Sequence, residues 1–364
     1  MRMIQSILLP VDFHQASGSV TRTAARVAAV FGSHLTLLHV LEPTLISPSE
    51  MQYARERATE RMRELIEVMA LDKIVMDESA IVVGSSVHQI VRKAEEMDAG
   101  LVIMGTGERS RFDRPPGPTT QGVLQHASQP VLAVRPGEPE AHFARILCPV
   151  DQSPVSLRGL RNAIQLARAF HGRLVVLSVA PEASPPLMAD GPWLAGMLRD
   201  HEPSWREEFD RFLKEIDFGN VSWQSEVRVG LAHEQIVAAA RDHRADVIVM
   251  GSTGRSGLAR LLMGSVTRRV VKQLPCSLLT VKSEDLVEGL SEGDIKAIKL
   301  LLAEGQEMLA AGCNAEAAGK FRQVLLQNAF SIPALEGLAA AYMKLGRSEE
   351  ANRYRYRAEV IHNS

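Results

Sequence analysis

Asp246-Val247-Ile248-Val249-Met250-Gly251-Ser252-Thr253-Gly254-Arg255-Ser256-Gly257 runs from an apolar, β-branched segment into a glycine-rich one, and Gly264-Ser265 follows Gly254 after nine intervening residues. The apolar head reads as a buried strand ending at Gly251, so the glycines open a loop. Beyond it, Ser265 stands as a cap-type residue before Val266, Val270 and Val271 at helical spacing, which predicts a helix start. Unpaired backbone N–H groups and the positive end of a helix dipole converge where such a strand meets such a helix, and together they attract an anion; a phosphate chain is the expected one. The spacing Gly-x2-Gly-x9-Gly-Ser is neither a Walker A loop nor Gly-x-Gly-x-x-Gly. The same glycines would also serve a tight strand-to-helix crossover that holds no ligand.

The order of elements around this stretch occurs twice. Ser6-Ile7-Leu8-Leu9-Pro10-Val11-Asp12 returns as Arg145-Ile146-Leu147-Cys148-Pro149-Val150-Asp151, an offset of 139 residues. In the same order Leu174–Val179 answers Leu35–Val40, Gly230 answers Gly84, Asp246–Gly251 answers Ala99–Gly105, and Ser277–Val281 answers Pro130–Val134. An internal duplication of about 280 residues follows. In the first half the expected strands Ile4–Val11, Leu35–Val40, Ile74–Val83 and Ala99–Met104 alternate with helical stripes at Ser17–Phe31, Glu50–Met69 and Val87–Met97. Such alternation predicts a mostly parallel sheet with helices on both faces. The glycine pattern of this half is damaged: Gly105-Thr106-Gly107 leads after nine residues to Gly117-Pro118, and the loop is one residue shorter. Pro118 offers neither the hydroxyl nor the N–H of a serine. The first half is therefore expected to bind a triphosphate poorly or not at all.

With this spacing and this duplication the chain resembles ATP-binding universal stress proteins. The resemblance implies an α/β fold of two tandem Rossmann-like (adenine-nucleotide α-hydrolase-like) domains with five-stranded parallel sheets, over residues 1–137 and 142–283. Domains of that family pair through their last strand, which within one chain implies an internal pseudo-dimer and leaves a homodimer open. The resemblance also implies ATP in the second domain, with AMP or ADP as alternatives, and Mg²⁺ held mainly by phosphate oxygens and water. Carried over residue by residue, Asp151 lies near the adenine, Val179 presents backbone groups to the base edge, and Gly230 lies near the ribose. Gly251 and Gly254 let the backbone approach the phosphates, while Gly264, Ser265 and Val266 donate N–H groups from the helix start. Ser153-Pro154 supplies a cap and an N1 proline of its own, which leaves Asp151 for the ligand rather than for the loop. Arg255 and Arg260 flank the loop, where they would either neutralise the terminal phosphate or, as loop arginines more often do, stay solvated.

Composition narrows the function. Lys and Arg total 41 against 43 acids, which suggests neither a nucleic-acid partner nor an anionic membrane surface. Cys148, Cys276 and Cys313 are far apart and outside any Cys-x-x-Cys pattern; they read as small buried hydrophobes in a reducing compartment. No signal or spanning segment stands out, so a cytoplasmic protein is expected. Between Met250 and Thr267 there is no Asp, Glu, Gln or His to position a hydrolytic water, the histidines form no metal pattern, and no nucleophile elbow appears. A non-catalytic protein without a metal site of its own is expected. The connection Pro181–Ser204 reads as a surface loop or lid.

Residues 290–364 change texture and become helical, with pairs spaced by 34 residues: Gly305 and Ala339, Met308 and Tyr342, Gly312 and Gly346, Ala317 and Ala351. They resemble two tetratricopeptide repeats, with Phe321 at the aromatic position. Such a tail docks on the domains, pairs with another chain or grips a protein partner. Arg353, Arg355 and Arg357 read as solvated. The combined expectation is an ATP-binding stress-response sensor whose tail mediates protein interaction, with a nucleotide-free adaptor and a slow ATPase as alternatives.

Overall fold

The computed structural model describes residues 4–13, 17–42, 48–70, 74–107, 115–135, 143–181, 201–252, 263–282, 292–327 and 331–362. Two compact units emerge: residues 1–108, 129–140 and 285–364, and residues 109–128 with 141–284.

In the first unit β1 (Ser6–Pro10), β2 (His34–Leu41), β3 (Val75–Met76), β4 (Ala80–Val83), β5 (Leu101–Gly105) and β6 (Val131–Val134) form a parallel array. Its order is β2-β1-β5-β6, with β3 and β4 both beside β2. Helices α1 (Ser17–Phe31), α2 (Pro48–Ala70) and α3 (Ser86–Glu96) connect the strands. Ile7, Leu8, Leu9, Leu35 and Leu37 are completely buried, as a sheet covered on both faces requires of its central strands. The segment Ile74–Val83, expected to contain the third strand and to end at Gly84, holds two strand pieces, both in register with β2. The chain breaks at Asp77, whose N–H donates to Leu35 O at 3.0 Å and whose carboxylate meets His34 Nδ1 at 3.0 Å.

The second unit holds α4 (Pro118–His126) and the strands β7 (Arg145–Pro149), β8 (Arg173–Ala180), β9 (Ser222–Val229), β10 (Val247–Gly251) and β11 (Ser277–Val281). They run parallel in the order β11-β10-β7-β8-β9, with α5 (Pro154–Ala169), α6 (His201–Lys214), α7 (Ala232–Asp242) and α8 (Ser265–Lys272). Lys282, just past β11, donates to Gln125 O at 3.1 Å and to Ala127 O, occupying carbonyls at the end of α4. Burial pushes its ammonium pKa down to about 8. The loop and lid residues 182–200 lie outside the described residues.

Duplication extends to the backbone's least comfortable positions. Phe13 and Gln152 take φ of 58° and 62°, and Asp98 and Arg244 take 47° and 49°. Left-handed backbone is uncommon for residues with a Cβ, so its recurrence at matched positions reflects one inherited frame. Gly84 and Gly230, at φ 148° and 134°, need glycine for the same turn.

The tail consists of α9 (Glu292–Ala310), α10 (Asn314–Gln327), α11 (Ile332–Lys344) and α12 (Ser348–His362), each packed on the next. Phe321 is fully buried between two glycines: a Cβ on Gly305 would come within 2.9 Å of its ring, and one on Gly337 within 2.5 Å. Small residues thus receive a large one, as the 34-residue spacing implied. Two sequence expectations fail here. Cys313, expected buried, is exposed in the turn between α9 and α10. Arg357, expected in solvent with Arg353 and Arg355, is buried; its guanidinium donates to Val30 O at 3.3 Å and Phe31 O at 2.9 Å, at the end of α1. Those are the carbonyls a helix leaves without intrahelical partners, so the tail caps a helix of the sheet domain. Burial pushes the Arg357 pKa down to about 10, still charged at neutral pH.

Arg357→Ala strips the cap and removes the guanidinium from the Val30 and Phe31 carbonyls, an expected loss of about 2–4 kcal/mol in urea unfolding. Arg355→Ala, at an exposed position of the same helix, is expected to stay within about 0.5 kcal/mol. Equal effects of the two changes would contradict the capping role.

Candidate functional site

The loop leaving β7 is organised by Ser153. Its hydroxyl accepts the Ser156 N–H at 3.2 Å and Pro154 takes the first helical position of α5, the cap that the sequence implied. Asp151 is nevertheless not released from the loop: its Oδ1 accepts the Ser153 N–H at 3.1 Å, while its own N–H donates to Ser156 Oγ at 3.3 Å. The carboxylate therefore shapes the turn and faces the cavity beside it.

That cavity, about 360 Å³, opens at the carboxyl ends of β7, β8 and β10, where open α/β sheets receive ligands. Pro149, Val150, Leu177, Val179, Ile236 and Met250 make one apolar wall, and Gly264 to Thr267 make the other end. Of the expected site residues, Asp151, Val179, Gly251, Gly264, Ser265 and Val266 all line it. Gly230 does not; it ends β9, donates its N–H to Ala180 O at 3.0 Å and is required by its positive φ. Gly254, with Arg255 and Arg260, lies outside the described residues. Ile236 and Ala232 were missed, although they sit four apart at the start of the helix after Gly230, the spacing of one helical face.

The anion end differs in detail from its sequence reading. Gly264, not Ser265, is the cap of α8, at φ −59° and ψ 153°, and Ser265 is its first helical residue. The Gly264 N–H is not a free donor: it is spent on Ser252 O at 2.6 Å. The first intrahelical bond of α8 runs from the Arg268 N–H to Gly264 O at 2.9 Å. Three N–H groups of the first turn, those of Ser265, Val266 and Thr267, are thus without a carbonyl inside the helix, and all three residues line the cavity. The Thr267 hydroxyl donates to Gly251 O at 3.1 Å, tying this turn to β10. In the first half α4 starts with the same cap geometry, Gly117 at φ −60° and ψ 160°, but Pro118 occupies its first helical position. That helix forms because an N1 residue needs no N–H; it has one donor fewer for the same reason.

Gly251 has a packing cause of its own. A Cβ there would sit 2.7 Å from Val155 Cγ1 and 2.9 Å from Val155 O, and one on Gly159 would sit 3.1 Å from the Gly251 nitrogen. The two glycines let α5 lie directly on β10, so the residue expected to admit phosphates is already required without them. Cys148, one residue before Pro149, is held as the thiol, burial raising its pKa.

A family model, Universal stress protein family, matches residues 3–135 and again residues 142–282. A universal stress protein of Methanocaldococcus jannaschii is 34% identical over 145 residues, 38% of this chain and 82% of that protein. One from Mycolicibacterium smegmatis is 26% identical over 307 residues, 77% of this chain and 99% of its own. A solved universal stress protein from Archaeoglobus fulgidus superposes with a TM-score of 0.58 at 21% identity, covering 77% of this chain and 99% of that structure; this likeness concerns the fold.

If the α5–β10 contact sets the need for glycine, Gly251→Ala destabilises the nucleotide-free protein by about 1–3 kcal/mol, read by urea unfolding. Unchanged stability with lost ligand binding would instead assign the glycine to the ligand alone.

Proposed function

The chain belongs to the universal stress protein family, and from that premise we propose that its second domain binds an adenine nucleotide, foremost ATP, with ADP or AMP as alternatives, as a regulatory signal. The observation that carries the proposal is an apolar cavity ending on a helix start whose first three N–H groups lack intrahelical partners. The base fits the wall of Leu177, Val179 and Ile236, with Asp151 beside it. The Ser265, Val266 and Thr267 N–H groups and the dipole of α8 suit a phosphate. Mg²⁺, in this reading, is carried by phosphate oxygens and water.

The bound nucleotide is a state marker and not a substrate. Among the described lining residues Asp151 alone is a carboxylate, and one of its oxygens is committed to the Ser153 N–H; a positioned base of the kind phosphoryl transfer uses is not supplied by the helix start. The reading places the protein in a reducing, ATP-containing compartment such as the cytoplasm. It also gives the helical tail the task of passing the nucleotide state to a protein partner, supported by exposed Leu300, Met343 and Leu345 on and beside its helices.

ATP titrated into wild type, Gly264→Val and Gly117→Val tests the assignment. A β-branched side chain at the cap crowds the first-turn donors, so binding is expected to disappear only in Gly264→Val. At 100 times its dissociation constant the ligand should stabilise wild type by about 2.7 kcal/mol. No shift at millimolar ATP would favour a nucleotide-free adaptor, and phosphate release that vanishes in Gly264→Val would favour a slow ATPase.

A further inference from the structure

The apolar wall of the second copy's cavity recurs in the first copy almost residue for residue. Pro149-Val150-Asp151 is answered by Pro10-Val11-Asp12, and Leu177 and Val179 by Leu38 and Val40. Ile236 is answered by Ile90, and Met250-Gly251 by Met104-Gly105. The backbone beneath agrees: Pro10 sits opposite Leu38 as Pro149 sits opposite Leu177, and the Val11 and Val150 N–H groups both donate across that step at 2.8 Å. Away from the wall the copies diverge. Of the fifteen positions in Ser17–Phe31 and the matching Ser156–Phe170, only five carry the same residue.

The polar surroundings of the first wall have changed in one direction. Glu42 stands at the place of Pro181 and accepts the Ser86 N–H at 3.3 Å, so with Asp12 two carboxylates flank the carboxyl ends of β1 and β2. Asp12 has its counterpart in Asp151, so it is the added charge of Glu42 that opposes a phosphate chain. Ser86 stands at the place of Ala232 and adds a hydroxyl. The Thr106 hydroxyl, buried just past Gly105, has no hydrogen-bond partner among the described residues. The wall that suits a base is retained while its surroundings favour an anion less.

We infer that the first copy carries a second ligand site, one for an uncharged nucleoside: adenosine or a relative without a phosphate chain. This rests on the adenine reading of the second copy, because the shared wall is what identifies the base. The base lies on the wall of Leu38, Ile90 and Met104 with Asp12 beside it, as Asp151 is in the second copy, and the sugar hydroxyls donate to the Glu42 carboxylate. The two copies then read the same molecule with and without its phosphates.

Calorimetric titration of adenosine and of ATP into full-length wild type, Ser86→Trp and Ala232→Trp tests this. Both positions are only part-buried, so an indole covers the neighbouring strand ends without entering the packed core. Ala232→Trp is expected to lose ATP and keep one adenosine site per chain, at least about tenfold tighter for adenosine than for ATP. Ser86→Trp is expected to lose that adenosine site and keep ATP. Absence of adenosine binding in Ala232→Trp, or equal affinity there for ATP, overturns the inference. Should wild type bind no ATP while Ala232→Trp still binds adenosine, the nucleotide reading of the second copy fails and this one stands. If circular dichroism shows that an indole variant does not fold, Asp12→Asn serves: adenosine about tenfold weaker with ATP unchanged supports the site, and no change overturns it.

Discussion

The hydrogen bond from the Gly264 N–H to Ser252 O, 2.6 Å long, fixes where the cap of α8 stands relative to the end of β10. Everything at the anion end follows from it. With the cap anchored, the ladder of α8 can begin only at the Arg268 N–H, and the three preceding N–H groups are left at the cavity. The Thr267 hydroxyl on Gly251 O makes a second tie between the same two elements. A helix start held from two sides in this way is preorganised, so a ligand would not have to order it.

The second constraint is the close approach of α5 to β10 at Gly159 and Gly251. It brings the Ser153 cap and the Asp151 turn against the strand end that carries the glycine loop. Helix start, carboxylate and apolar wall thus meet because three parallel strands end at one edge. The same frame is used in the first copy, down to the left-handed Phe13 and Asp98; its backbone departs at the split third strand, β3 and β4 against the continuous β9, and the rest of the divergence around the wall is in side chains. Duplication has therefore preserved the scaffold and freed the chemistry of one copy to change, which is what the Pro118, Glu42 and Ser86 positions record.

Much of this was legible in the sequence, for physical reasons. Strands buried on both faces must be continuously apolar, so β1, β5, β7 and β10 could be seen; the 139-residue repeat gave their order. The Ser153-Pro154 cap and the Gly264-Ser265 helix start are local chemistry and could be read locally. What escaped depends on distant partners. That Gly264 spends its N–H on Ser252, that Asp151 also serves its turn, and that Gly251 is demanded by Val155 are facts of packing which no spacing contains. Arg357 was misread for the same reason: its alternation with Arg353 and Arg355 suggested solvent, while its carbonyl partners lie more than 320 residues earlier. The break at Asp77 escaped because ten residues of mixed polarity read as one strand.

Backbone amide hydrogen exchange of Ser265, Val266 and Thr267 in the full-length protein, with and without saturating ATP, addresses the central claim most directly. If these groups hold a phosphate, their exchange slows by about tenfold or more on ligation, beyond the change in the rest of α8. Exchange unaltered at all three, in protein shown by calorimetry to be ATP-bound, would contradict the account.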